Sequence, residues 1–478
     1  MNFVAGKIAS EAESSVGGSG SIVLARVSKP TVGRKTFSCF MVACLAIMGM
    51  TTYANVGAGV TARNLLGYFP PFRTNFNAWK NDSLGAEYRN VSIALYQGRG
   101  FADVFEPNGQ PTAWMPPMLC WIQGGLLYLV GGNKVAWVAS VVLLKTCILI
   151  WLAWIVIREG ERIGCVARAT LIVIVSMIVE FRFCFQRTHD EWLLIALMLL
   201  IFNWGSRLLD SSRKSIGELP IEEASEETDQ ISISVWESCL WGVLGGVSIL
   251  SSPAVGLAWG CATLYASARQ STRHVALSFM VATLVFMPWC LRNYAVFDAW
   301  IPIKSNLFYE LDQAFTQTTD GIVDTDTFKT HPFVANGPQR AEYRKLGEVA
   351  FVRASRDRWL AEIINNPGQF ALHIINRLTA ATVYYLPMNP RDSQDTIRWS
   401  IHAMWFALPM LWLTLVGFQI ATPTPRQQLA VVLFTTFLLP YILVSYYHRY
   451  SLPVLPLRMF FLLWLMNCCL RGRPSGET

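Results

Sequence analysis

The chain has 478 residues, 53% hydrophobic and only 15% charged, with a formal net charge of +7. That is too apolar for one soluble domain. The positive charge is spread over many loops instead of forming a patch interleaved with aromatics, which argues against a nucleic-acid partner and suits anionic membrane lipids. Repeated apolar runs near the roughly 20 residues a helix needs to cross a bilayer indicate an all-α polytopic membrane protein.

Residues 1–35 are polar and rich in Ser and Gly, and read as a disordered cytoplasmic tail. Within 36–470 the apolar runs predict about ten spanning helices, at 37–56, 135–157, 168–185, 191–207, 233–250, 254–268, 275–291, 399–419, 427–445 and 450–469. No small-residue cleavage site follows the first, so it reads as an uncleaved anchor. Basic residues orient the set: Lys29, Arg34 and Lys35 precede the first span, and Arg158, Arg162 and Arg168 follow the second. Arg269 and Arg273 lie between the sixth and seventh, and Arg471 and Arg473 open a short tail at 471–478. All fall on the cytoplasmic side when ten spans are counted.

The region 116–132 is apolar enough for an eleventh span, but counting it would turn the basic 158–168 turn outward. It is therefore read as a half-embedded external helix that starts at Pro116-Pro117, since proline cannot continue a helix from above. The run at 371–386, interrupted by His373 and Arg377, is read as interfacial for similar reasons. An acidic cytoplasmic loop at 209–232, with Glu222, Glu223, Glu226, Glu227 and Asp229, reads as a solvated linker. Of eleven cysteines, Cys39, Cys44, Cys147, Cys184, Cys239, Cys261, Cys468 and Cys469 fall in or at the ends of apolar spans, where they act as small hydrophobes. No Cys-x-x-Cys occurs, and neither a disulfide framework nor a zinc site is indicated.

On this map two long loops face outward, 57–134 and 292–398, with short ones near 186–190, 251–253 and 446–449. Four polar clusters sort onto them. The first loop carries Gly85-Ala86-Glu87-Tyr88-Arg89-Asn90-Val91, Gln97-Gly98-Arg99-Gly100-Phe101 and Pro111-Thr112-Ala113-Trp114-Met115-Pro116-Pro117. The others are Arg187-Thr188-His189-Asp190-Glu191-Trp192, Arg292-Asn293-Tyr294 with Ile301-Pro302-Ile303-Lys304-Ser305-Asn306-Leu307, and Tyr446-Tyr447-His448-Arg449-Tyr450-Ser451-Leu452-Pro453. Carboxylates at a membrane boundary are costly and tend to mark function, and Arg is suited to gripping phosphate oxygens. Simpler readings stand beside the functional ones. Glu87 alone could be a solvated loop acid, Asp190 a helix N-cap, His189 a hydrogen-bonded interfacial side chain, and Arg292 an interface anchor. The convergence of all four clusters on one face favours an external site for an anionic, lipid-linked ligand.

The run from Gly85 to Pro117 resembles the first external loop of bacterial C-type glycosyltransferases, the superfamily of protein mannosyltransferases and lipid A aminoarabinose transferases. The shared features are Gly-x-Glu, the helix with Ser92-Ile93-Ala94, Gly-x-Gly-Phe and Pro-Thr-Ala-Trp-x-Pro-Pro. The resemblance continues at Thr188-His189-Asp190-Glu191, at Pro288-Trp289-Cys290-Leu291-Arg292-Asn293-Tyr294-Ala295-Val296-Phe297 with the segment from Ile301 to Asn306, and at Arg449-Tyr450-Ser451-Leu452-Pro453. The chain departs from the family in having a single first-loop acid where the family has a pair, and in the added acidic loop at 209–232.

The resemblance implies a polyprenyl-phosphate-linked sugar as donor, a protein, lipid or glycan as acceptor, and an inverting transfer at the external face of the bacterial inner membrane. Glu87 is the expected base, helped by or traded with Asp190. Arg89, Arg292, Lys304 and Arg449 are the expected phosphate ligands, with Trp114, His189, His448 and Tyr450 as further substrate-binding residues. No cofactor is assigned; a divalent metal is compatible with the resemblance, but the sequence offers no ligand set. A flippase or transporter of lipid-linked sugars is the alternative. Against it, no internal repeat is visible and the Ser251-Ser252-Pro253 break falls in a loop instead of mid-span.

Overall fold

The computed structural model describes residues 33–52, 85–179, 190–217, 234–267, 272–324, 326–383 and 396–471. His189, most of both tails, the first part of the long external loop and most of the acidic linker lie outside them.

Sixteen α-helices are formed among the described residues: α1 Arg34–Thr52, α2 Ala86–Tyr96, α3 Pro117–Leu129, α4 Lys134–Arg162, α5 Val166–Val179, α6 Glu191–Gly217, α7 Val235–Ser251, α8 Pro253–Ser267, α9 Thr272–Phe297, α10 Leu307–Thr316, α11 Pro338–Leu346, α12 Glu348–Asn365, α13 Pro367–Thr382, α14 Thr396–Gly417, α15 Pro425–Leu443 and α16 Leu455–Arg471. Short 3-10 turns occupy Thr327–Lys329 and His448–Val454. Extended pairing among the described residues is limited to two isolated bridges, Ala102 with Pro111 and Ile322 with Tyr446.

Each expected span coincides with a helix over its described residues, and the expected count of about ten is matched only in part. Among the described residues six segments are long and apolar enough to cross a membrane: Lys134–Arg162, Glu191–Leu209, Thr272–Phe297, Ser400–Gly417, Pro425–Leu443 and His448–Cys469. They mark an all-α membrane protein. Two of the other expected spans, 37–56 and 168–185, run beyond the described residues, and two more are limited by helix length. Ser252 and Pro253 break one apolar stretch into α7 and α8, of 17 and 15 residues. At 1.5 Å per residue these reach roughly 25 Å and 22 Å, short of a core of about 30 Å. Helix α3 does begin at Pro117, with Pro116 as its cap, and its 13 residues are likewise too few to cross.

Local chemistry explains several helix starts. Asn133 caps α4 by accepting from Val135 N and Ala136 N, Ser234 caps α7 from Glu237 N, and Thr424 forms a reciprocal capping box with Gln427 on α15. Close helix packing needs small residues. A Cβ added at Gly242 would lie 2.6 Å from Ser278 O, and one at Gly246 would lie 2.4 Å from Val285 Cβ, so α7 and α9 meet backbone to backbone.

Contacts at the two ends of the bundle sort as the basic turns require. Thr36 Oγ1 donates to Glu161 at 2.7 Å, Arg426 pairs with the buried Glu159 at 3.0 Å, and Tyr265 bonds Gln428. All of these lie at the end read as cytoplasmic. The residues of the cavity described below lie at the other.

Candidate active site

The polar clusters of the outer loops are first of all a scaffold. Near the end of α9, Trp289 Nε1 donates to Ile303 O at 2.7 Å, Asn293 Nδ2 to Ile301 O at 2.8 Å, and Cys290 Sγ to Pro302 O at 3.0 Å. One helix turn thereby fixes the backbone that presents Lys304. The buried Glu348, first residue of α12, ties this segment to the first loop. Glu348 accepts from Thr112 Oγ1 at 2.5 Å, Ala113 N at 2.8 Å, Ser305 Oγ at 2.7 Å and Tyr343 Oη at 3.0 Å. Burial holds its carboxyl above the usual range, while these donors pull it back down. Arg449 is set by a different device. The buried Arg377 donates to Ile442 O at 2.7 Å and Leu443 O at 3.2 Å, ending α15 where its last carbonyls need donors, and also to Gly321 O. Val323 N then bonds Tyr446 O at 3.0 Å, just before the turn that carries Arg449.

These elements enclose a cavity of about 310 Å³. Glu87 and Tyr88 reach it from α2, Trp114 from the loop before α3, and Asp190 from the start of α6. Lys304 and Glu310 enter beside α10, and Arg449 with Tyr450 from the 3-10 turn. The volume is at the lower end of the roughly 300–1,000 Å³ typical of small-molecule sites.

The charges inside are arranged as linked pairs. Lys304 Nζ lies 2.8 Å from Glu310 Oε1, which also accepts from Asn306 at 3.0 Å. Arg449 Nη1 is 2.9 Å from Glu191 Oε1 and 3.7 Å from Asp190 Oδ1, with its guanidinium over the Tyr450 ring at 5.0 Å. Asp190 Oδ2 accepts from Tyr88 Oη at 3.0 Å. Glu87 is the exception, without such a close cation. Burial pushes its carboxyl up to about 7; Arg449 and Lys304 oppose this, and Glu310 and Asp190 add to it.

The nearest base to Glu87 is His331, with Nε2 3.7 Å from Glu87 Oε1. Phe105, Trp114, Tyr309 and Phe328 surround its ring, and burial drives it down to about 3, so the imidazole is neutral at ordinary pH. Its Nδ1 accepts from Phe333 N at 3.1 Å, which leaves the proton on Nε2, the nitrogen that faces Glu87.

Of the residues singled out in the sequence, Glu87, Asp190, Lys304, Arg449, Trp114 and Tyr450 line this one cavity. Arg292 does not. Its guanidinium donates to Thr112 O at 2.8 Å and Phe101 O at 2.9 Å, so it clamps the first loop to α9 instead of facing a ligand. Arg89 leaves the opposite face of α2 and lines a second cavity. His448 packs on Phe406 with its ring centroid 5.4 Å away, outside the cavity lining. His331, Glu310, Tyr88 and Glu191 were not singled out as site residues. Glu191 and Tyr88 stand beside residues that were, but nothing in the spacing marks His331. Among the described residues no group of three or more His, Cys, Asp or Glu is arranged to hold a metal ion. The chain matches no family model, no curated protein and no solved structure.

Proposed function

We propose that the chain is a membrane glycosyltransferase that moves a sugar from a polyprenyl-phosphate carrier to a hydroxyl of a protein, lipid or glycan at the external face of a bacterial inner membrane. One observation carries this reading. Glu87, Asp190, Lys304 and Arg449, each from a different segment of the chain, line one cavity in which the unpaired carboxylate titrates near neutrality.

In the reaction the acceptor oxygen bonds to the anomeric carbon, the bond from that carbon to the phosphate oxygen breaks, and its electron pair leaves with the polyprenyl phosphate. The acceptor's proton passes to Glu87. A base with a pKa near the working pH is best matched to this step. Negative charge grows on the leaving phosphate, where Lys304 and Arg449 would stabilise it. An ammonium has three donors and a guanidinium five, so neither cation is exhausted by its carboxylate partner. Those carboxylates also keep the cavity from being strongly cationic.

The test is transfer of radiolabelled sugar from a polyprenyl-phosphate donor to envelope-extract acceptors by the full chain in proteoliposomes. Label leaving the lipid as glycosylated product is the expected result. Movement of intact donor across the bilayer without product would overturn the proposal in favour of a carrier. In the same assay Lys304→Gln should raise the donor KM about tenfold, with a smaller fall in kcat, since it removes one charge-assisted bond to the phosphate. His331→Ala should act through Glu87. Losing the N–H that faces the carboxylate disfavours its ionised form, so the acid limb of the kcat/KM profile should move to higher pH while the alkaline plateau is largely kept. An unshifted limb would show that His331 only fills space.

A further inference from the structure

We infer that Gln313 reads a hydroxyl of the transferred sugar and so sets which sugars the cavity accepts. The inference rests on the transferase reading above. Helix α10 turns one side to the cavity: Asn306 at its cap, then Tyr309, Glu310 and Gln313, all line it. Positions 306, 309, 310 and 313 recur at helical spacing, so one face of α10 is a wall of the site. Its other face is taken up by α12, where Arg358 pairs with Asp312 at 2.9 Å.

The charged part of this wall is already engaged, since Lys304 Nζ and Asn306 Nδ2 both donate to Glu310 Oε1. Gln313 differs. Its Nε2 donates to Tyr309 Oη at 3.1 Å, and Tyr309 Oη donates to Gln339 Oε1 at 2.9 Å. A hydroxyl has one proton, and here Gln339 takes it, so the Gln313 atom facing Tyr309 is the amide nitrogen. The carbonyl Oε1 is thereby turned away. It has no partner among the described residues and keeps surface open to the cavity, on a side chain that is only 4% exposed. Once a ligand has expelled water from such a place, an acceptor left unpaired is costly.

Chemistry says which part of the donor meets it. A phosphate oxygen is itself an acceptor and gains nothing from Oε1. The attacking hydroxyl of the acceptor has one proton, and that goes to Glu87. A ring hydroxyl of the sugar has a proton to give. Gln313 follows Glu310, the partner of Lys304, by three residues, about 4.5 Å along the helix axis. The wall thus offers charge at one turn for the phosphate, and a neutral acceptor at the next for the sugar it carries.

The experiment uses the full chain in proteoliposomes with undecaprenyl-phosphate-linked glucose, mannose, galactose and xylose, then the monodeoxy forms of whichever sugar is transferred best. On the parent, one monodeoxy donor should fall about 10–100-fold in kcat/KM, the effect of leaving a buried acceptor unpaired. Gln313→Leu should bring that donor level with its hydroxylated form by slowing the latter, while the other monodeoxy donors keep their parent ratios. Each comparison is a ratio on one variant, so it does not depend on how much of that variant has folded. The same penalty in parent and Gln313→Leu, or no penalised position in the parent, would overturn the inference and leave the transferase reading intact. A changed preference among acceptors with unchanged deoxy ratios would assign Gln313 to the acceptor and overturn it too. No product from any of the four sugars would strike the transferase reading, and this inference with it.

Discussion

Glu87→Gln should lose roughly 10²–10⁴-fold in turnover, the usual contribution of one general base, with little change in donor KM. Gln keeps the shape of the side chain and removes only its ability to take a proton. The same substitution should make the protein more stable at pH 8. Burial raises the folded-state pKa of Glu87 from the ordinary 4.5 to about 7, so the folded chain binds the proton more tightly than the unfolded chain does. Stability linked to this group is present in full below about 4.5 and is lost as pH rises through about 7, because the buried carboxylate must then be charged. A neutral amide removes that cost, worth on the order of 3 kcal/mol at 1.36 kcal/mol per pKa unit. Thermal midpoints of parent and variant should therefore converge at pH 5 and separate at pH 8, with the inactive variant higher. Normal transfer by Glu87→Gln would take Glu87 out of the base role and leave Asp190 as the remaining carboxylate.

Glu348→Ala should abolish transfer although Glu348 does not line the cavity. Its carboxylate gathers four donors from three segments, and removing it leaves Ala113 N and three hydroxyls without their acceptor in a buried place. Breaking a buried, charged hub of this kind costs about 3–5 kcal/mol. The first loop should then come away from α12, exposing the Trp114 segment to limited proteolysis and lowering the thermal midpoint. Glu348→Gln keeps one good acceptor and should lie between the two. An Ala variant with unchanged proteolysis and full activity would show that the loop is held by its other ties, Arg292 to Thr112 and Arg340 to Phe105.

The helical runs were legible because apolar periodicity is a local property, and the gathering of Glu87, Asp190, Lys304 and Arg449 was legible because alternating spans sort loops onto one face. What a charged side chain does once there was not legible. Arg292 and Lys304 lie twelve residues apart in similar surroundings, yet one guanidinium is taken up by the carbonyls of Phe101 and Thr112 while the ammonium reaches the cavity. That choice depends on a loop nearly two hundred residues earlier. His331 was missed for the same reason: only the aromatic cage from Phe105, Trp114, Tyr309 and Phe328 aims it at Glu87. The shortness of α7 and α8 was signalled by Ser252-Pro253, but composition alone counts such halves as spans.

The ties on the first loop also bear on how the protein is made. Ala113 waits for a residue 235 positions later before its N–H finds the Glu348 carboxylate. At a synthesis rate of about 5–20 residues per second, that interval is roughly 10–50 s. For most of it Glu87 stands without the wall that later contains Lys304 and without the Arg292 tie to the first loop. A nascent chain that ends before α12 would hold all three of the cavity's carboxylates, Glu87, Asp190 and Glu310, but neither the Glu348 hub nor Arg449. The order of translation thus completes the cavity only after the second long loop and the turn that carries Arg449 have been made.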